Sequence, residues 1–166
     1  MTKTVTLLVG VPGSGKSTWL RKNYQNLDLE AYWYSTDHQI EVLSHFYGMT
    51  YSEAFDKAFT FAEFICEHEL RKCILEGRSV VFDQTNLSAS KRRSRLKMFP
   101  PDWKREAFVF PTPPIEELEK RLASRPGKII PPHIMKSMIS NFTMPSKDEG
   151  FDKITIVNNQ KDLFSW

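Results

Sequence analysis

The sequence predicts an α/β fold, a parallel sheet of about five strands with helices on both faces. Two observations carry this. Strand-length apolar runs alternate with helical stretches along all 166 residues. The first run, Thr4-Val5-Thr6-Leu7-Leu8-Val9, leads straight into Gly10-Val11-Pro12-Gly13-Ser14-Gly15-Lys16-Ser17, a complete G-x-x-x-x-G-K-S phosphate-binding loop with a helix opening behind it. Strand, loop and helix in that order separate a working loop from a chance match.

The loop dictates its own chemistry. Glycines let backbone N–H groups turn inward and cradle phosphate oxygens at a helix N-terminus. Gly13, Ser14, Gly15, Lys16, Ser17 and Thr18 are therefore expected to hold a nucleoside triphosphate, ATP in the first instance. Lys16 neutralises the β- and γ-phosphates, and the Ser17 hydroxyl ligates Mg²⁺.

Further along, residues 31–35 read as a short aromatic strand and 38–46 as a helix broken at Gly48. A long helix is expected over 52–76, with Ser52 as N-cap and Gly77 past its end. Phe55, Phe59, Ala62, Cys66, Leu70 and Cys73 recur every three or four residues, and Phe61, Phe64 and Ile65 widen that stripe. The pattern predicts a heavily buried helix. A third strand over 79–83 precedes a basic helix over 88–99; a fourth strand over 105–110 precedes a helix over 113–124. Arg125-Pro126-Gly127-Lys128 interrupts, Pro131-Pro132 restart a helix to about 142, and 154–157 supplies the last strand.

Composition sets the outer bounds. A chain of 166 residues, 40% hydrophobic and 26% charged, forms one globular domain, 1–166. No apolar run is long enough to span a membrane, and no leader precedes the first strand. Cys66 and Cys73 share a helix face about 10 Å apart along the axis, too far for a disulfide. They are expected as buried thiols in a reducing compartment, hence cytoplasmic. The four histidines show no ligand spacing, so zinc is not expected. A net charge of +3 permits a nucleic-acid partner without demanding one. Oligomeric state is not legible.

In open α/β sheets the ligand lies beyond the carboxyl ends of the strands. Asp37 ends the second strand, where it can take the proton of an acceptor hydroxyl or cap the following helix. Asp83 ends the third strand in a Walker-B layout that holds Mg²⁺, its alternative being a turn or cap residue. Arg121 and Arg125 read as an i, i+4 pair before a proline–glycine hinge, the arrangement of a closing lid over about 121–132. A solvated face is the plainer reading of such a pair. The basic helix carrying Lys91, Arg92, Arg93 and Arg95 divides in the same way between a nucleic-acid contact and an ordinary solvated face.

These motifs together resemble the P-loop polynucleotide kinase family. The likeness is to the kinase domain of the bacteriophage 5′-polynucleotide kinase and, more distantly, to animal polynucleotide kinase/phosphatase. It covers nearly the whole chain: the phosphate loop through Trp19, Ser35-Thr36-Asp37, Asp83-Gln84-Thr85-Asn86, the lid arginines with Ile130-Pro131, and Asn141 to Pro145 followed by Glu149-Gly150-Phe151. The resemblance implies a P-loop kinase fold with a helical lid. It also implies Asp37, Lys16 and Arg125 as catalytic residues, Arg121 and Arg125 on ATP, and Asp37, Asp83, Thr85, Asn86 and Arg92 near the acceptor.

Two departures stand out. Ile40 occupies the place of an arginine that holds the nucleic acid in the phage enzyme, and the Asp-x-Asp of the phosphatase half is missing.

Three functions are open at this stage. The leading one is an ATP-dependent kinase of polynucleotide 5′-hydroxyls, in DNA or RNA modification or repair. The second is a kinase of hydroxymethyluracil in DNA or of a nucleoside-sized molecule. The third is a nucleotide-driven switch or regulatory ATPase. Against the switch, Asp83-Gln84-Thr85-Asn86 stands where Asp-x-x-Gly is expected, and no Asn-Lys-x-Asp guanine reader occurs. That last absence leaves ATP against GTP undecided.

Overall fold

A computed structural model describes residues 2–23, 31–125 and 128–157. Five strands, β1 (Thr4–Val9), β2 (Tyr32–Tyr34), β3 (Val80–Phe82), β4 (Lys104–Val109) and β5 (Lys153–Ile156), form one sheet in the order β2-β3-β1-β4-β5. Every pairing is parallel. The helices are α1 (Lys16–Asn23), α2 (Thr36–Tyr47), α3 (Tyr51–Glu76), α4 (Ala89–Leu96), α5 (Ile115–Ala123) and α6 (Pro132–Ser140). The predicted fold class holds, with each element within a few residues of its expected place.

The sheet is buried on both faces because parallel crossovers lay helices on each side. On one face Val5, Leu7, Val9, Phe82 and Val109 meet Cys66, Leu70 and Cys73 of α3 together with Leu96, Phe99 and Trp103. On the other, Leu8, Val81 and Phe110 meet Trp19 and Leu20 of α1. Trp19 lies 4.5 Å from Phe108 between ring centroids, locking the helix behind the phosphate loop to β4. Among the described residues no helix is long and apolar enough to cross a membrane.

Two expectations for α3 fail. Its N-cap is Thr50, two residues earlier than Ser52: Thr50 and Glu53 close a reciprocal capping box that satisfies two orphan N–H donors. Nor is the helix buried along its length. Cys66, Leu70 and Cys73 lie on the sheet, whereas Phe55 (40% exposed), Phe59 (37%), Phe61 (56%) and Phe64 (67%) face solvent. The N-terminal half overhangs the sheet, where Ala54 and Ala62 pack against Ile40 of α2 in a small separate cluster.

Candidate functional site

The phosphate loop sits between the end of β1 and the start of α1. Gly13 and Gly15 adopt φ of +83° and +102°, a backbone that L side chains rarely accept. A Cβ added at Gly15 would meet nothing within 4 Å; it would project into the open cradle. The Lys16 ammonium donates to the carbonyls of Gly10 and Val11, both at 2.9 Å. Burial, opposed by the carboxylates of Asp83 and Asp37, takes it down to about 8. The Ser14 hydroxyl is buried with no hydrogen-bond partner among the described residues. Open space at Gly15, a desolvated lysine and an orphaned hydroxyl fit the phosphates of a nucleoside triphosphate. Ser17 and Asp83 line the same cleft and supply the hard oxygen donors that Mg²⁺ takes.

Asp37 occupies the second residue of α2. The cap is Ser35, whose hydroxyl accepts from the His38 N–H at 3.2 Å, so the capping alternative for Asp37 is gone. Its carboxylate turns into the cleft instead. Oδ1 accepts from the Tyr51 hydroxyl at 2.8 Å, and Oδ2 from the Lys128 ammonium. Partial burial pushes Asp37 upward, but Lys128 and the Tyr51 hydrogen bond outweigh it and hold the carboxyl below its usual range. Lys128 also lies 4.2 Å from the Tyr51 ring centroid, a cation–π contact. Sequence reasoning missed Tyr51. It lies fourteen residues from Asp37 across a helix–helix turn, and no periodicity joins the two.

Asp83 and Thr85 line the cleft, while Asn86 and Arg92 do not. Asn86 is fully buried at φ +46°, its amide donating to the Leu8 carbonyl at 2.8 Å. Arg92 is fully buried as well. Its guanidinium holds Glu149 in a fork, 2.7 Å on each arm, and donates to the carbonyls of Asn86 and Leu87 at 2.9 and 2.8 Å. The expected acceptor contacts at Asn86 and Arg92 are thus corrected. Both side chains are consumed in pinning the loop after β3 against β1 and the 3-10 turn Lys147–Glu149. The Arg92 donors are all taken, and Asn86 is fully buried with its Oδ1 lacking a partner among the described residues, so neither side chain reaches the cleft.

The lid arginines part company. α5 ends at Ala123, so Arg121 is helical and Arg125 lies beyond the helix. Arg121 donates to the Gly13 carbonyl at 3.0 Å and pairs with Glu117. Arg125 lines the cleft, and its side chain makes no hydrogen bond or ion pair among the described residues. The hinge residues Pro126 and Gly127 lie outside the described residues.

Two connected cavities share Ser17, Thr18, Asp37, Asp83 and Arg125. The larger, about 690 Å³, opens past Trp33, His38 and Tyr51 under Lys128. The smaller, about 340 Å³, runs from the phosphate loop between Phe59 and Glu63 of α3 and Lys91 and Arg95 of α4. A phosphate cradle, a carboxylate for a proton, a second carboxylate for a cation and an uncommitted guanidinium therefore converge. That set can move a phosphoryl group.

Comparison with known proteins places this geometry in context. A family model described as an AAA domain (AAA_33) matches residues 5–145. Heterogeneous nuclear ribonucleoprotein U-like protein 2 of Homo sapiens is 27% identical over 165 residues, which is 95% of this chain and 22% of that protein. The chain thus spans about a fifth of that relative's length. Among solved structures, a putative kinase from Chloroflexus aurantiacus superposes with a TM-score of 0.65 at 17% identity, covering 95% of this chain and 88% of that one. A chain of the Pnkp1/Rnl/Hen1 RNA repair complex gives 0.63 at 23% identity, covering 84% and 44%. The fold is that of the P-loop kinases.

Proposed function

This chain belongs to that AAA domain family, and from that premise we propose that it is an ATP-dependent phosphotransferase whose acceptor is the 5′-hydroxyl of a polynucleotide. One observation carries the reading. Asp37 shares a cleft with Lys16, Asp83 and Arg125, with its carboxylate turned inward rather than spent on capping.

Asp37 takes the proton of the acceptor hydroxyl as its oxygen bonds to the γ-phosphorus. The bond from that phosphorus to the bridging oxygen breaks, and ADP leaves. Lys16 and the loop N–H groups hold the phosphates in place, and Arg125 meets the charge that builds on the equatorial oxygens. Ser17 and Asp83 are the residues that would hold Mg²⁺, which would neutralise phosphate charge when bound. The likeness to a chain of an RNA repair complex favours a nucleic-acid acceptor over a small one.

The test is label transfer from γ-labelled ATP to a panel of 5′-hydroxyl DNA and RNA, hydroxymethyluracil DNA and free nucleosides. Label is expected on the 5′-hydroxyl strands and is expected to fall by about 10²- to 10⁴-fold in Asp37→Asn, whose amide cannot accept the proton. Label on the modified base or the nucleosides alone would move the acceptor. Hydrolysis with no label on any hydroxyl would make the chain a nucleotide switch.

A second expectation concerns pH. Lys128→Met removes the cation that lowers Asp37, so the carboxyl should protonate at higher pH. The acid limb of kcat should then move toward neutrality relative to the parent protein. An unmoved limb in a pH–rate titration would separate Lys128 from the titrating group.

A further inference from the structure

Half-buried Tyr51 and the exposed Phe55 and Phe59 form a row along one side of α3. Tyr51, Phe55 and Phe59 are spaced one turn apart, with ring centroids 6.1 Å apart in the first pair and 5.0 Å in the second. The row starts at the hydroxyl that Tyr51 places on Asp37 and ends at Phe59 on the wall of the smaller cavity. It covers about 12 Å of helix, eight residues at about 1.5 Å each. Opposite Phe59 stands Lys91 of α4, solvent-exposed and without an ion pair among the described residues, with Glu63 nearby. The neighbouring Arg95 is occupied, its guanidinium bound to Glu67 and the Tyr34 hydroxyl.

A buried role explains Tyr51, which packs on the Ile40 cluster, but not Phe55 and Phe59, because the sheet ends before them. Phe55 and Phe59 keep 40% and 37% of their surface in water, at a cost that packing against α2 would have removed. A nucleoside-sized acceptor placed at Asp37 would not extend along the row to Phe59. An extended strand of bases would, since each base offers a flat face to a ring whatever its identity. The cation across the cavity complements a phosphodiester, and the row is continuous with the phosphoryl-transfer cleft.

We infer that Phe55 and Phe59 form a stacking rail for the bases of a single-stranded acceptor, with Lys91 on its backbone. This rests on the polynucleotide reading above. The terminal nucleoside lies beside Tyr51, whose ring already carries Lys128, with its 5′-hydroxyl at Asp37, and the following bases lie over Phe55 and Phe59. The rail gives the site preference for unpaired ends and tolerance of sequence.

Anisotropy of a labelled 5′-hydroxyl tetranucleotide, with or without abasic second and third positions, tests binding alone. Label transfer to the same strands tests function. Wild type should bind the base-bearing strand more tightly by about 5- to 150-fold per stacked base, and Phe55→Ala/Phe59→Ala should lose that preference. Phe55→Trp/Phe59→Trp should restore it. Lys91→Gln should flatten the log–log salt dependence of binding by about 0.7.

Equal binding of the two strands by wild type, with transfer intact, overturns the rail and leaves the kinase reading standing. Ring-dependent binding without transfer to any hydroxyl keeps the rail and overturns the kinase reading. Concentration-dependent self-association that vanishes with the two rings, and no effect on strand binding, would give the face to a second copy of this chain and overturn the rail.

Discussion

Arg125→Ala is expected to lower kcat by about 10³- to 10⁵-fold while leaving ATP affinity nearly unchanged. Negative charge spreads over the transferring group only as the bond to the leaving oxygen breaks. A guanidinium committed elsewhere beforehand gains nothing at that moment. Arg125 is the uncommitted one, lining both cavities beyond the end of α5. Arg121 is tied to the Gly13 carbonyl and Glu117, so its removal should show mainly in KM for ATP. Arg125→Lys should recover little, because a point charge replaces a planar fork. Single-turnover rates with saturating ATP separate the cases, and a fully active Arg125→Ala protein would remove the lid from the mechanism.

Arg92→Ala should cost about 3–5 kcal/mol of folding stability, a large share of the roughly 5–15 kcal/mol typical of a domain. Removing the guanidinium leaves Glu149 buried and unpaired and strips donors from the Asn86 and Leu87 carbonyls. Arg92→Met/Glu149→Leu should recover part of the loss by deleting both charges, though the two carbonyls stay without that donor. Burial pushes the Glu149 carboxyl upward; its hydrogen bonds to Arg92 and Ser146 outweigh this and hold it below the usual range. The stability it supplies is therefore complete above the ordinary carboxylate pKa and is lost as pH falls through the lowered value. Urea titrations at neutral and acid pH would show this. Wild-type stability with a weakened salt dependence of nucleic-acid binding would instead return Arg92 to the surface.

The phosphate loop, the strand that leads into it and the carboxylates at the ends of β2 and β3 were legible because each is written within a few consecutive residues. The roles of Asn86 and Arg92 were not. Glu149 lies fifty-seven residues from Arg92, and a basic residue on a basic helix looks solvated until its partner is in place. Periodicity predicted an inward face of α3 running from Phe55 to Cys73, but it does not reveal where the sheet beneath ends. That boundary depends on strand lengths elsewhere, so half of one stripe became core and half became surface. Thr50 was readable: Thr50 and Glu53 carry a capping-box spacing that Ser52 lacks.

The overhang of α2 and the front of α3 divides the molecule energetically. Ile40, Ala54 and Ala62 bury against one another, while the back of α3 is fastened into the main core. Few apolar contacts hold the front, so it opens locally at lower free energy than the sheet. Asp37, the proposed proton acceptor, rides on this looser part, and Lys16, the proposed phosphate ligand, rides on the tighter one. One end of the cleft can therefore breathe while the other keeps its shape.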